Sequence, residues 1–275
     1  SIISSANISL TATTGDLAVR NISNAVNLSI QATAGSVTVE GQASATAQVD
    51  IDALNNVEVD NLIGVTTTID STAGSITSAA GASGPIQSGQ LTLNADTGID
   101  VTTLAVNLSA DNATSGNVVI TQDGTTSQTL TIVETSNVGV RNQVSGGTVT
   151  INNVDSGITT IGPVESNDGT ISITANQSTV SIRNTITSDL DADNQDGGNV
   201  TVTASDGITI ETEDSITIAY QTQTNNAEIH DALKGLALND TDSEYFVSEV
   251  FSKFKQGVEK EVSRDRSRER DRGSR

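Results

Sequence analysis

The sequence predicts an all-β protein: a right-handed parallel β-helix, a solenoid with coils of about 20 residues, carrying a C-terminal α-helical extension. Three observations carry the prediction. A strand–turn–strand template recurs along residues 1–220. Within each copy Val, Ile and Leu alternate with Thr, Ser, Asp and Asn at a period of two, the period of a strand with one buried face. Aromatic residues, which most globular cores use for buried area, make up only 2% of the chain, and Trp, Met and Cys are absent.

The first two copies show the template best. Residues 6–19 (ANISLTATTGDLAV) align with residues 26–39 (VNLSIQATAGSVTV) at a shift of 20, with Asn7/Asn27, Ser9/Ser29, Ala12/Ala32, Gly15/Gly35 and Val19/Val39 identical. Further copies pair Val49-Asp50-Ile51 with Val57-Glu58-Val59, and Leu91-Thr92-Leu93 with Ile99-Asp100-Val101. Later ones pair Leu130-Thr131-Ile132 with Val138-Gly139-Val140, Ile171-Ser172-Ile173 with Val180-Ser181-Ile182, and Val200-Thr201-Val202 with Ile208-Thr209-Ile210. Weaker copies lie near Ile69, Leu108 and Val149. Each copy reads as the same two strands in the same order. One coil cannot bury its own apolar residues, but stacked coils form a continuous core. The right hand follows from the usual sense of parallel crossovers. A β-sandwich is the structural alternative, because alternation alone fits it too.

Between copies, Gly and Pro mark the corners. Pro85 and Pro163 each sit beside a Gly, where they interrupt no ladder. Gly81 to Gly89 reads as a loop, and Asp189 to Asn199 as the largest insertion. The texture changes near Tyr220. Residues 221–226 read as a linker and 227–262 as a helical cap or docking segment. Thr241-Asp242-Ser243-Glu244 has capping-box form, and Phe246, Val250, Phe254 and Val258 make an apolar stripe. Residues 263–275 are a charged low-complexity tail.

Charge narrows the partners. Before Ala227 the basic residues are Arg20, Arg141 and Arg183, against 23 Asp and Glu, and the whole chain carries a net charge of −21. Such a body repels nucleic acid and anionic lipid. No apolar run approaches the ~20 residues of a transmembrane segment. The opening Ser1-Ile2-Ile3-Ser4 lacks the features of a signal peptide and reads as the start of a mature form or an excised piece.

The coil texture, NLSIQATAGSVTVEG in one copy and GGNVTVTASDGITIET in another, resembles the repeats of filamentous-haemagglutinin-like large exoproteins. The resemblance covers residues 1–220 and leaves out the helical tail. It implies an extracellular or cell-surface location, and a structural and adhesive β-helical rod of a bacterial surface or secreted exoprotein. The partner it implies is a host, cell-surface or polysaccharide ligand, or another copy stacked head to tail.

A polysaccharide-acting enzyme is the competing class. It needs convergent acids, bases or nucleophiles. His230 is the only histidine and lies outside the repeats, and the body has no Lys or Trp. The pairs Asp50/Asp52 and Glu58/Asp60 share an outward face, as acidic residues filling solvent positions also would. No catalytic residues and no organic cofactor are expected. The sharpest local motif is Asp189-x-Asp191-x-Asp193-Asn194-Gln195-Asp196-Gly197. Alternating carboxylates before a Gly suit Ca²⁺, which gathers several hard oxygens. Asp189, Asp191, Asp193 and Asp196 are therefore the candidate calcium ligands. The Gly comes late, however, and Val200 stands where a loop-closing Glu would be, which also fits a solvated corner. Thr148/Thr150, Thr201/Thr203 and Thr129/Thr131 would point outward. Flat threonine arrays can bind ice, but these are not repeated in every coil.

Overall fold

In the computed structural model, described here for residues 2–123, 128–135, 138–188 and 198–210, the alternating segments form one 19-stranded sheet wound into a β-solenoid. Among the described residues every strand pairing is parallel; only the isolated bridge between Thr135 and Val138 is antiparallel. The sandwich alternative is thereby excluded for this region.

The winding is traced by one column of core residues. Leu17, Val37, Val57, Ile76, Ile99, Val118, Val149, Ile171 and Val200 stack one above the next. These nine positions mark about nine turns. Backbone bonds continue the stacking into the corners, as in Val37 N–H to Asn56 C=O at 2.9 Å and Thr33 N–H to Ala12 C=O at 3.0 Å.

Along the strand Val37–Ala53 the residues Val37, Val39, Ala43, Ala45, Val49, Ile51 and Ala53 are buried. The polar residues between them face outward, as period two requires. The core is mainly Ile, Val, Leu and Ala, interrupted by buried polar residues such as Thr67, Asn112 and Asn142. Each buried Val, Ile or Leu contributes roughly 1.5–3 kcal/mol, so many small columns replace the few large aromatic anchors of an ordinary core.

The turn changes shape part-way along. Up to Asn112, each turn has a leading segment (Val37–Val39), a middle segment (Ala43–Ala45) and a trailing segment (Val49–Ala53). Beyond it the trailing segment splits. Ile132 stacks on Leu108 and Val140 on Ala110, so the two stacked positions that Ser109 alone separates in one turn are further apart along the chain in the next. By register the turn from Val118 to Val149 is longer than the one from Ile171 to Val200, and most of the insertion expected at residues 189–199 lies outside the described residues.

This split corrects the expected order of copies. Ile171-Ser172-Ile173 was expected to correspond to Val49-Asp50-Ile51. It stacks instead on Val149-Thr150-Ile151 and so belongs to the column of Val57 and Ile99. Leu130–Ile132 and Val180–Ile182, expected in opposite roles, share one column through Ile158–Thr160. Val138 joins no such strand, which begins at Val140. Period-two alternation identifies a strand but does not say which side of the coil it occupies. The loop expected over Gly81 to Gly89 is also shorter. Ile86 is buried at 1% exposure and opens the strand Ile86–Ala95, because it fills the column between Leu62 and Thr103. Pro85 and Pro163 precede strands, as expected. The linker, helical segment and tail proposed for residues 221–275 lie outside the described residues.

Candidate binding faces

Outward positions form columns just as inward ones do. One runs Thr11, Gln31, Asp52, Asp70, Asn94, Asp111, Arg141, Glu165 and Thr187. Asp50 lies beside it. The expectation that Asp50 and Asp52 share a face is met. Burial, then the charge of Asp70, pushes the Asp50 carboxyl above its ordinary value. Asp52 is raised by burial, then by Asp50 and Asp70. Asp50 and Asp52 are alternate residues of one strand, and Asp70 is the partner of Asp52 on the next, one strand spacing of about 4.8 Å away.

Further along, the Arg141 guanidinium holds Asp111 in a two-point ion pair, with Nη2 at 2.7 Å from Oδ2 and Nε at 3.0 Å from Oδ1. Gln143 Nε2 donates to the same carboxylate at 3.0 Å. Glu165 stacks on the other side of Arg141. Burial pushes its carboxyl up, Arg141 draws it back down, and Asp111 and Glu134 push it up. Sequence reasoning missed this cluster. Asp111, Arg141 and Glu165 are 30 and 24 positions apart, spacings that match no single coil length. Arg20 and Glu40 form a second ion pair one turn apart, more exposed than the first.

Asp60 does structural work. Its carboxylate accepts from the backbone N–H of Gly41 at 2.8 Å and from that of Ser83. The Ser83 bond is the main reason its carboxyl lies below the ordinary value. Among the described residues, no group of three or more His, Cys, Asp or Glu is arranged to hold a metal ion. The proposed calcium ligands Asp189, Asp191, Asp193 and Asp196 lie outside the described residues, as does His230.

A second face differs in chemistry. The strands Val118–Gln122, Val149–Asn153, Ile171–Ala175 and Val200–Ala204 stack in unbroken register, as do the corresponding segments of earlier turns, whose bulges fall elsewhere in the coil. Their outward residues form two columns. One is Val119, Thr150, Ser172 and Thr201, the other Thr121, Asn152, Thr174 and Thr203. None of the four strands carries a charged residue. Thr150 and the Thr201/Thr203 pair, noted from the sequence, fall on this face, whereas Thr131 lies in the column of Thr159 and Ser181.

Against known proteins, no family model, no curated protein and no solved structure matches the chain.

Proposed function

We propose that this chain is a structural and adhesive segment of a bacterial surface or secreted exoprotein of the filamentous-haemagglutinin type, with a right-handed coil and no catalytic activity. The observation that carries the reading is the repeated outward column. About nine turns stack outward polar positions in columns, so the fold presents an extended, repetitive surface on a largely aliphatic support. The most catalysis-like cluster, Asp111–Arg141–Glu165, is bound up in its own ion pair.

The test is binding of the purified chain to host-cell and polysaccharide surfaces. Saturable retention that survives physiological salt supports the reading. Retention no greater than that of an inert protein of equal charge contradicts it. Release of new reducing ends from a polysaccharide panel would move the protein to the enzyme class.

A second reading, self-assembly, draws on the parallel stack itself, in which each turn pairs edge to edge with the next and a further copy could pair in the same way. Sedimentation across a concentration series separates the two, since a concentration-independent monomer contradicts stacking. Equilibrium dialysis with Ca²⁺ tests the corner at Asp189, Asp191, Asp193 and Asp196. A stoichiometric ion lost in Asp191→Asn marks an ion site, and no uptake marks a solvated loop.

A further inference from the structure

We propose that the uncharged face formed by Val118–Gln122, Val149–Asn153, Ile171–Ala175 and Val200–Ala204 binds the surface of ice. The inference deepens the surface-binding reading by naming a surface, and rests on it only for that context.

Three features of the face support it. The first is its two-dimensional order. Neighbouring rungs lie about 4.8 Å apart, and alternate residues along a strand about 6.6 Å apart. Four successive rungs keep this grid with no register shift. Oxygen rows on ice repeat on similar distances, so the hydroxyls of Thr150, Thr174, Thr201 and Thr203 can each occupy an equivalent lattice position. Water held between them is then ordered before the crystal is met.

The second is chemical. Threonine offers a methyl group beside its hydroxyl, and the face presents no charge to hold a disordered hydration shell, although the sequence before Ala227 is strongly acidic. Ionic partners are poorly served here, and a neutral lattice is well served. The third separates ice from a crystalline glycan. Sugar-binding surfaces gain much of their affinity by stacking rings on aromatics, and residues 1–210 contain no Phe, Tyr or Trp. Single hydroxyl contacts are weak, but a rigid grid makes them together, and simultaneous engagement multiplies affinity.

The experiment uses the full chain, labelled at its amino terminus, in a solution from which an ice hemisphere is grown. Wild-type protein should enter the ice about tenfold more than serum albumin does and slow ice recrystallisation. Thr174→Tyr and Thr203→Lys, which break the flat surface in different ways, should each fall to the albumin level while keeping the wild-type melting temperature. Thr92→Tyr, outward on a different column, should behave as wild type. Exclusion of wild type from ice overturns the proposal, as does equal loss in Thr92→Tyr. Exclusion from ice together with retention on microcrystalline cellulose or chitin overturns it in favour of a glycan face. Either result leaves the cell-surface adhesion test standing.

Discussion

The side-chain amide of Asn112 donates a 3.0 Å hydrogen bond to the side-chain carbonyl of Asn142, its neighbour in the next turn, inside a largely aliphatic core. Both residues are fully buried. Asn142 also donates to the backbone carbonyls of Thr148 at 3.0 Å and Gly116 at 3.2 Å, and accepts from Val144 N–H at 3.2 Å. Asn142→Ala strands several of these groups in a dry interior. The expected loss is about 2–3 kcal/mol, read as a lower midpoint in urea unfolding. A change below experimental error would mean the network is replaceable by water.

Thr67 makes the opposite prediction. It stands between Val49 and Leu91 in an apolar column, and its buried hydroxyl has no hydrogen-bond partner. Valine has the same shape without the polar group. Thr67→Val should therefore stabilise the protein by about 1 kcal/mol, and a loss of stability would show that the hydroxyl is satisfied.

Gly41 is fixed by two constraints. Its φ is +71°, and a Cβ there would lie 2.4 Å from Asn21 Oδ1. Gly81 shares the backbone conformation, with φ +72°, but a Cβ there meets nothing within 4 Å. Gly81→Ala should cost about 1 kcal/mol, the strain of the left-handed backbone alone. Gly41→Ala should cost a little more, because the end of the Asn21 side chain must also shift. Equal melting temperatures for the two variants would contradict this corner packing.

The acid column predicts an unusual response to pH. Asp50 and Asp52 have folded values above the ordinary 3.8, and Glu165 lies above its ordinary 4.5. A carboxyl that binds its proton more tightly when folded opposes folding at neutral pH, and that opposition fades as pH falls through its folded value. Asp60 works the other way. Its lowered value contributes stability that is lost only as pH falls below the ordinary range. The melting temperature should therefore rise from pH 7 toward the carboxylate range and decline beyond it. Asp52→Asn should raise stability at pH 7 and flatten the rise. A wild-type melting temperature that falls steadily from pH 7 would contradict the column.

Much of this fold was legible in the sequence, because period-two alternation and the 20-residue shift between Asn7 and Asn27 follow directly from strand geometry and stacking. The side of the coil was not legible. Leu130-Thr131-Ile132 and Val149-Thr150-Ile151 have one texture but occupy different columns. The cause is the longer stretch of chain between Ile132 and Val140, which breaks the constant spacing on which the alignment relied. How residues join across turns into the two candidate faces was hidden for the same reason. Thr150, Ser172 and Thr201 are 22 and 29 positions apart, so only register brings them together. The buried Asn112–Asn142 pair was missed because an asparagine next to a turn reads as a turn residue.

The central claim is a parallel stack in which each turn adds one strand spacing. The outward column holding Thr38, Thr150, Ser172 and Thr201 measures it directly. The chain has no cysteine, so pairs of introduced cysteines can carry nitroxide labels for pulsed dipolar distance measurement. From a label at Thr38, the account predicts distances of about 24 Å to Thr150, 29 Å to Ser172 and 34 Å to Thr201, one step of roughly 4.8 Å per turn. Distances that fail to rise in that order, or a Ser172 label closer to Thr38 than the Thr150 label, would contradict the stacked register.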